Sequence, residues 1–334
     1  MVAAGHPLAA MAGAEIIRSG GNAIDAGVGA GIALSVLEST LVSFGGVAPI
    51  ILHSAERDEI VTISGLGGWP KAIDAHYFER HHGGRIPPGA LRTVVPAAPA
   101  AWIAALSRYG RMGFADVAAF AIDYARNGFR VYDFFRDRIV GKQKEFDRFP
   151  TTAALFSPGG RAPVVGETFR QPALASSIEA LADADRAAAA KGGREAGLAA
   201  ARAEFYEGGL ARMMVDHVRE HGGLLSLDDL RTFEVGIEPP ASVTFGDWQV
   251  NGCGPWCQGP MLLQALKIIE NFDLAALGHN SADYLHVLVE AIKLAARDRE
   301  LAEVWDACRG ALSHPRDVST LPGLPLPILS LLQP

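Results

Sequence analysis

Long apolar runs are scarce in this chain of 334 residues, and the most extended, Ala26 to Leu37, is only about a dozen residues long and carries glycine throughout. A helix that crosses a bilayer takes roughly 20 consecutive apolar residues, so a membrane-spanning helix is excluded and no membrane partner is expected. Cysteine is as rare. Cys253, Cys257 and Cys308 are an odd number, too few for a disulfide framework. Three residues separate the first two, where redox and zinc motifs have two, so all three read as ordinary thiols. Lysine is scarce too, 6 against 24 arginines, and 37 acidic residues against 30 basic ones leave a net charge of −7. No basic cluster tracks a phosphate backbone, which argues against a nucleic-acid partner. A basic leader followed by an apolar core is also missing, so a cytoplasmic location is favoured, or a periplasmic one if chain is missing before Met1.

What is present is the composition of a folded protein. Hydrophobic residues make up 49% and charged residues 20%, enough to bury the core of one large or two ordinary domains. MVAA reads as the end of a strand, and PLAAMAGAEIIRSGG as a helix closed by Gly20 and Gly21. The next helix starts at Asn22, with Asp25 three residues on as a first-turn carboxylate, an arrangement worth about 1 kcal/mol. This helix carries Gly27, Gly29 and Gly31, each costing about 1 kcal/mol relative to alanine. Gly27 and Gly31, four apart, share a face on which another backbone can lie closely.

After Gly45 and Gly46, VAPIILHS and DEIVTISG alternate as a buried hairpin, and SGLGGWPKA breaks the pattern. Helical signals return from Pro96 to Gly128. The stretch from Asp133 to Gly166 reads as irregular surface structure. The alanine-rich segment after Gln171 reads as two helices with a low-complexity spacer at Gly192 and Gly193. Ser226 opens a short helix with Asp228 and Asp229 in its first turn. SVTFGDWQVNG is a hairpin around Gly246 and Asp247, and Pro260 suits the first position of the helix that follows. From Asn280, His286, Glu290, Lys293, Arg297 and Glu300 mark one wet helical face. The helical pattern decays beyond Leu301, and STLPGLPLPILSLLQP is rich in proline.

Few residues announce chemistry. The early glycines fail the G-x-G-x-x-G register, and no G-x-x-x-x-G-K-[S/T] or G-x-S-x-G occurs. His6 has no neighbouring nucleophile or carboxylate in sequence and reads as structural. His81 and His82, and likewise His217 and His221, lack the further ligands a metal site needs and read as solvated. Cys257 precedes a helix N-terminus, a setting that can activate a thiol, although an ordinary thiol remains the better reading. No metal or cofactor is expected.

Taken together, GGNAIDAGVGAGIALSVLESTLVSFGG and the landmarks that follow it in order resemble the γ-glutamyltranspeptidase family. The landmarks are VPAAPAAW with RYGRMGFADV, FRQPALASSIEALA with FYEGGLARMM, GGLLSLDDL, GPWCQGP and GHNSADYLHVLVEAIKLAARDRE. The resemblance runs from Met1 to Glu300. It implies an α/β protein with the αββα sandwich of N-terminal nucleophile hydrolases, here incomplete because only the large-subunit portion is represented. It also implies a precursor that cuts itself to expose a threonine, whose hydroxyl attacks an amide and whose own amine acts as base.

Thr151 and Thr152 fall among the large-subunit landmarks and do not match that cleavage point, so no catalytic residue is assigned in this chain. The implied partners are a small amide substrate and a small subunit from the same precursor. The segment 301–334 departs from the family pattern and is expected to be a frameshifted or foreign end, since the arginine-heavy composition suggests a GC-rich gene whose wrong frames stay open. A non-catalytic fragment or scaffold of the same fold is the alternative.

By the resemblance, family members that act on γ-glutamyl compounds hold the substrate carboxylate with an arginine after the second hairpin strand. Alignment on Pro70 puts Leu66 there. Leu66, Gly67, Gly68 and Lys71 are therefore the expected substrate-side residues, Gly45 and Gly46 support them, and an amide other than γ-glutamyl is expected.

Overall fold

The computed structural model describes residues 1–311, with side chains to residue 300; the remainder, and with it most of the tail expected to be foreign, lies outside the described residues. Elements run, in chain order, α1 (Pro7–Arg18), α2 (Ala23–Leu37), β1 (Ile50–Ser54), β2 (Glu59–Ile63) and α3 (Tyr77–His82). Next come α4 (Ala98–Tyr109), α5 (Phe114–Asn127), β3 (Phe129–Arg130), α6 (Asp133–Phe146), α7 (Pro150–Phe156) and β4 (Thr168–Phe169). The rest are α8 (Pro172–Tyr206), α9 (Gly209–Glu220), α10 (Leu227–Arg231), β5 (Ile237–Glu238), β6 (Ala241–Phe245), β7 (Trp248–Gly252), α11 (Gly259–Ile269), α12 (Leu274–Leu277) and α13 (Ala282–Ala311). Residues 1–4 form no strand; α1 follows at Pro7, capped by His6. None of the described helices is long and apolar enough to cross a membrane.

The chain divides into two compact units. The first comprises Met1–Asp58, Ile63–Ala72 and Pro87–Ile237; the second comprises Glu59–Thr62, Ile73–Ile86 and the chain from Glu238 onward. In the first unit α2 packs against α1 and α5, and α5 against α8. Glycine makes this approach possible, at positions other than those the spacing suggests. A Cβ on Gly29 would stand 2.1 Å from Ile16 Cδ1 and 3.1 Å from the Val117 carbonyl, and one on Gly13 3.0 Å from the Ala26 carbonyl. Gly31 faces the Trp102 indole at 3.2 Å, whereas Gly27 has nothing within 4 Å. The expected Gly27/Gly31 backbone seat is therefore corrected: Gly13 and Gly29 are the contact glycines, because α1 and α5 lie on the other side of α2.

Two further expectations fail for reasons of packing. The stretch from Asp133 to Gly166 contains two helices, α6 and α7, because Phe135 and Phe156 close on Phe169 at ring distances of 5.0 and 5.7 Å and give them an apolar anchor. Phe169 in turn pairs with Phe129 across the short β3–β4 ladder. The alanine-rich segment forms the two expected helices, but no spacer separates them. It breaks at Gly193, where φ is 79°, into two arms. Gly197 lies against Asp185 and Ala189, so the second arm folds back along the first and buries Leu198, Ala201, Phe205 and Tyr206.

In the second unit β6 and β7 pair from Ala241↔Gly252 to Phe245↔Trp248, closing on a two-residue loop with Gly246 at φ 55°. α11 packs on this hairpin and on α13. α13 continues to Ala311, past the point where the polar pattern decays. The leucine, alanine and glutamate there are good helix formers whatever their periodicity.

Candidate functional site

The expected substrate-side residues occupy the loop that follows β2, and backbone bonds hold it. The Ala48 N–H donates to the Gly65 carbonyl at 2.8 Å, the Val95 N–H to that of Gly68 at 2.9 Å, and the Ser64 N–H to that of Gly236 at 2.9 Å. Such close stitching requires glycine. A Cβ on Gly65 would lie 1.9 Å from the Ala48 oxygen and one on Gly67 1.6 Å from the Val95 oxygen, distances no side chain tolerates. Leu66 between them is half-buried, and Gly68 is exposed.

Gly46 meets the same segment near residue 95. Its carbonyl accepts from the N–H groups of Ala97 and Ala98 at 2.9 and 3.0 Å, while its own N–H donates to Ser43 at 2.9 Å. α4 begins there with no capping side chain of its own, so Gly46 supplies part of the missing cap. Tyr206 supplies more: its buried hydroxyl donates to the Pro96 carbonyl at 2.7 Å and accepts from the Ala100 N–H at 3.2 Å. Burial pushes this phenol well above its usual range, so it stays a neutral donor. The Gly45–Gly46 turn and the 65–68 loop therefore meet at residues 95–98. An apolar cleft of about 370 Å³ opens beside Gly45, lined in part by Phe44, Phe205 and Met214 with Ser35 and Ser39.

Lys71 does not stand free to meet a ligand. Its ammonium donates to Asp228 Oδ2 at 2.6 Å and to Thr232 Oγ1 at 2.8 Å, and its backbone N–H donates to Asp229 Oδ1 at 2.8 Å. Lys71, and then Arg231 on the other carboxylate oxygen, hold the Asp228 carboxyl below its ordinary range. Asp229 is buried and closes a capping box with Ser226 at the head of α10. Lys71 thus anchors the end of the glycine loop to α10, which sequence reasoning did not anticipate.

The remaining candidates are structural or solvated. His6 caps α1 by accepting from the Leu8 N–H at 3.1 Å; burial lowers its pKa, and its ring stands 5.0 Å from that of Tyr132. His81 and His82 end α3 beside Tyr77. His217, Glu220 and His221 bring ligand atoms within 4.8 Å of one another, but all three are exposed, and His221 Nδ1 lies 2.8 Å from the His217 carbonyl. Thr151 and Thr152 lie in the first turn of α7.

Asp25, a capping residue by sequence, does more than cap. Wholly buried, it accepts from the Arg111 and Met112 N–H groups as well as from Asn22, joining the head of α2 to the α4–α5 turn. The signal that could have revealed this is the carboxylate in GGNAID together with the donor-rich turn GRMG.

A sequence model of the gamma-glutamyltranspeptidase family matches residues 9–308. The chain belongs to this family. It is 32% identical over 305 residues to the glutathione hydrolase-like YwrD proenzyme of Bacillus subtilis (strain 168), covering 90% of this chain and 54% of that protein. It is also 32% identical over 317 residues to the acylase ACY 1 proenzyme of Pseudomonas sp. (strain V22), with 90% and 53% covered. Among solved structures, that of Helicobacter pylori gamma-glutamyltranspeptidase superposes with a TM-score of 0.81 at 25% identity, over 90% of this chain and 83% of that one. The chain spans about half the length of the curated relatives it matches. Its fold is the mixed α/β fold of the N-terminal nucleophile hydrolases, and it matches the large-subunit portion of γ-glutamyltranspeptidases. At family level the chemistry is that of a hydrolase or transferase.

Proposed function

We propose that this chain is the large-subunit part of a self-processing amide hydrolase or acyltransferase whose acyl substrate is not γ-glutamyl. In this reading a threonine-led small subunit supplies the nucleophile. Its hydroxyl attacks the amide carbonyl, backbone N–H groups stabilise the oxyanion, and the acyl-enzyme passes to water or an amine. The glycine loop at 65–68 forms the wall for the acyl group.

The observation that carries the substrate assignment is Leu66. An isobutyl side chain cannot replace a bidentate guanidinium contact to a carboxylate. Lys71, the nearest cation downstream along the chain, is engaged by Asp228 and Thr232. Similarity to both acylase and glutathione hydrolase proenzymes accords with an amide substrate and leaves the acyl group to be set by this loop.

The test is to co-produce the chain with a threonine-led segment encoded downstream and to compare an uncharged acyl anilide with γ-glutamyl anilide. The uncharged substrate should be preferred, and Leu66→Arg should raise kcat/KM for the γ-glutamyl substrate about 10- to 100-fold, the worth of one charge-assisted contact. Efficient γ-glutamyl turnover by the unmodified protein would show that the reading of Leu66 is wrong. If no threonine-led segment can be found, the chain is a scaffold of the same fold.

A further inference from the structure

The last turn of α9 and the residue that caps it carry the run HVREH, residues 217–221. Positions three and four residues along a helix lie on the same face as the first, so Glu220 and His221 both stand beside His217. A ligand atom of each lies within 4.8 Å of those of the other two, and the two imidazole centroids are 4.3 Å apart. Histidines at i and i+4 are the pair by which an H-E-x-x-H helix holds zinc. There the glutamate directly follows the first histidine. Here it comes three residues after it, which brings its carboxylate to both imidazoles.

The backbone that presents these groups is fixed. Ala211 and Val215 bury the opposite side of α9. Gly222, at φ 82°, closes the helix, its N–H donating to the Arg219 carbonyl at 3.0 Å, and the Gly223 N–H donates to that of Val218 at 2.8 Å. A Cβ on Gly223 would stand 2.7 Å from the Ala90 carbonyl, so the turn lies hard against neighbouring chain.

The side chains are prepared as well. His221 Nδ1 lies 2.8 Å from the His217 carbonyl. A carbonyl only accepts, so Nδ1 carries the proton in this contact and Nε2 keeps the lone pair, the tautomer in which an imidazole binds a metal. Among the described residues Glu220 has no ion pair or hydrogen bond, and the neighbouring Arg219 turns to the Leu225 carbonyl at 3.2 Å instead. The free carbonyls at a helix C-terminus add a partial negative charge that favours a cation.

We propose that His217, Glu220 and His221 form a surface site for one divalent transition-metal ion of the zinc class. Two imidazole nitrogens and one carboxylate suit zinc, nickel or copper, whereas magnesium and calcium take oxygen donors. The ion ties the last turn of α9 to the residue that caps it.

Zinc chloride titrated into the full chain, followed by isothermal titration calorimetry in a non-chelating buffer, tests the site. His217→Ala and His221→Ala should each abolish it. Glu220→Gln should weaken it at least about 10-fold, since even the loss of a partner behind a metal ligand costs about 10- to 100-fold in affinity. Cys253→Ser, at one of the two free thiols, and His81→Ala, in the other histidine pair, should leave it intact. All three proposed ligands are exposed, so the variants should fold as the parent does, which far-UV circular dichroism checks. A second readout needs no substitution. On the parent chain zinc should slow the modification of His217 and His221 by diethyl pyrocarbonate, located by peptide mass mapping, and magnesium should not. The proposal is overturned if the parent has no zinc site that the histidine variants lose, if Glu220→Gln binds as tightly as the parent, or if zinc leaves the modification of both histidines unchanged.

Discussion

Replacing Asp25 tests the claim that one buried carboxylate joins two parts of the helical unit. The Asn22 N–H reaches Oδ2 at 2.8 Å, the Arg111 N–H lies 3.0 and 3.1 Å from the two oxygens, and the Met112 N–H reaches Oδ1 at 3.2 Å. A Cβ on Gly110 would stand 2.5 Å from Oδ1, so the α4–α5 turn is shaped around this group. A hydrogen bond to a charged acceptor contributes about 1.5–3 kcal/mol net. Three at the lower bound, with donors near enough to the surface for water to replace part of the loss, give about 4 kcal/mol for Asp25→Ala. Asp25→Asn keeps the volume but turns an NH₂ toward a backbone N–H, whichever way the amide is flipped, and should cost about 2–3 kcal/mol. Urea unfolding followed by far-UV circular dichroism measures both, since the midpoint shifts while the slope is unchanged. An Asp25→Asn chain within about 0.5 kcal/mol of the parent would refute the argument, because a capping role of that kind survives an amide.

Gly67→Ala should abolish soluble, folded protein, because its Cβ would stand 1.6 Å from the Val95 carbonyl, whereas Gly68→Ala, with open space around it, should leave yield and Tm unchanged. Gly27→Ala should stabilise α2 by about 0.5–1 kcal/mol, read as a higher urea midpoint, since the position is open and the helix gains propensity; a loss would mean that the backbone there needs glycine. Asp185 accepts from the Ala115 N–H at 2.9 Å, but burial, outweighing that bond, raises its pKa. Its folded-state pKa is above the unfolded one, so its contribution to stability is complete below the unfolded value near 3.9 and is lost as pH rises through the folded value. Asp185→Asn should flatten that part of the stability–pH curve, and an unchanged slope in thermal melts across acid pH would refute the assignment.

The parts of the fold that local chemistry encodes were legible: the Asn22 and Ser226 caps, the Gly246 hairpin and the helices from Pro96 to Gly128. Each is decided by residues within a few positions of one another. What escaped was decided across the chain. Nothing local in the sequence of α6 predicts that Phe135 meets Phe169, and such contacts made across the chain, with burial of Ile139, give this polar stretch an apolar face on which to form a helix. The helical glycines were countable, but which of them face a neighbour depends on where α1 and α5 pass, and that was settled by tertiary packing rather than by a four-residue period.

The candidate site shows the same division more sharply. Its glycines cluster where backbone approaches backbone, and Gly46, Gly65 and Gly67 each have a backbone carbonyl where a larger residue would put its Cβ. The role of Lys71 was not legible, because a cation beside a glycine loop looks the same in sequence whether it meets a ligand or an aspartate 157 residues away. Once Asp228 and Thr232 engage that ammonium, Leu66 is left as the side chain between two glycines that admit no substitution. On the proposed reading of this loop as the wall for the acyl group, the backbone fixed on both sides of Leu66 leaves that side chain as the part of the wall that a substitution can change. The acyl preference of this protein should therefore follow residue 66 more closely than any other position in the loop.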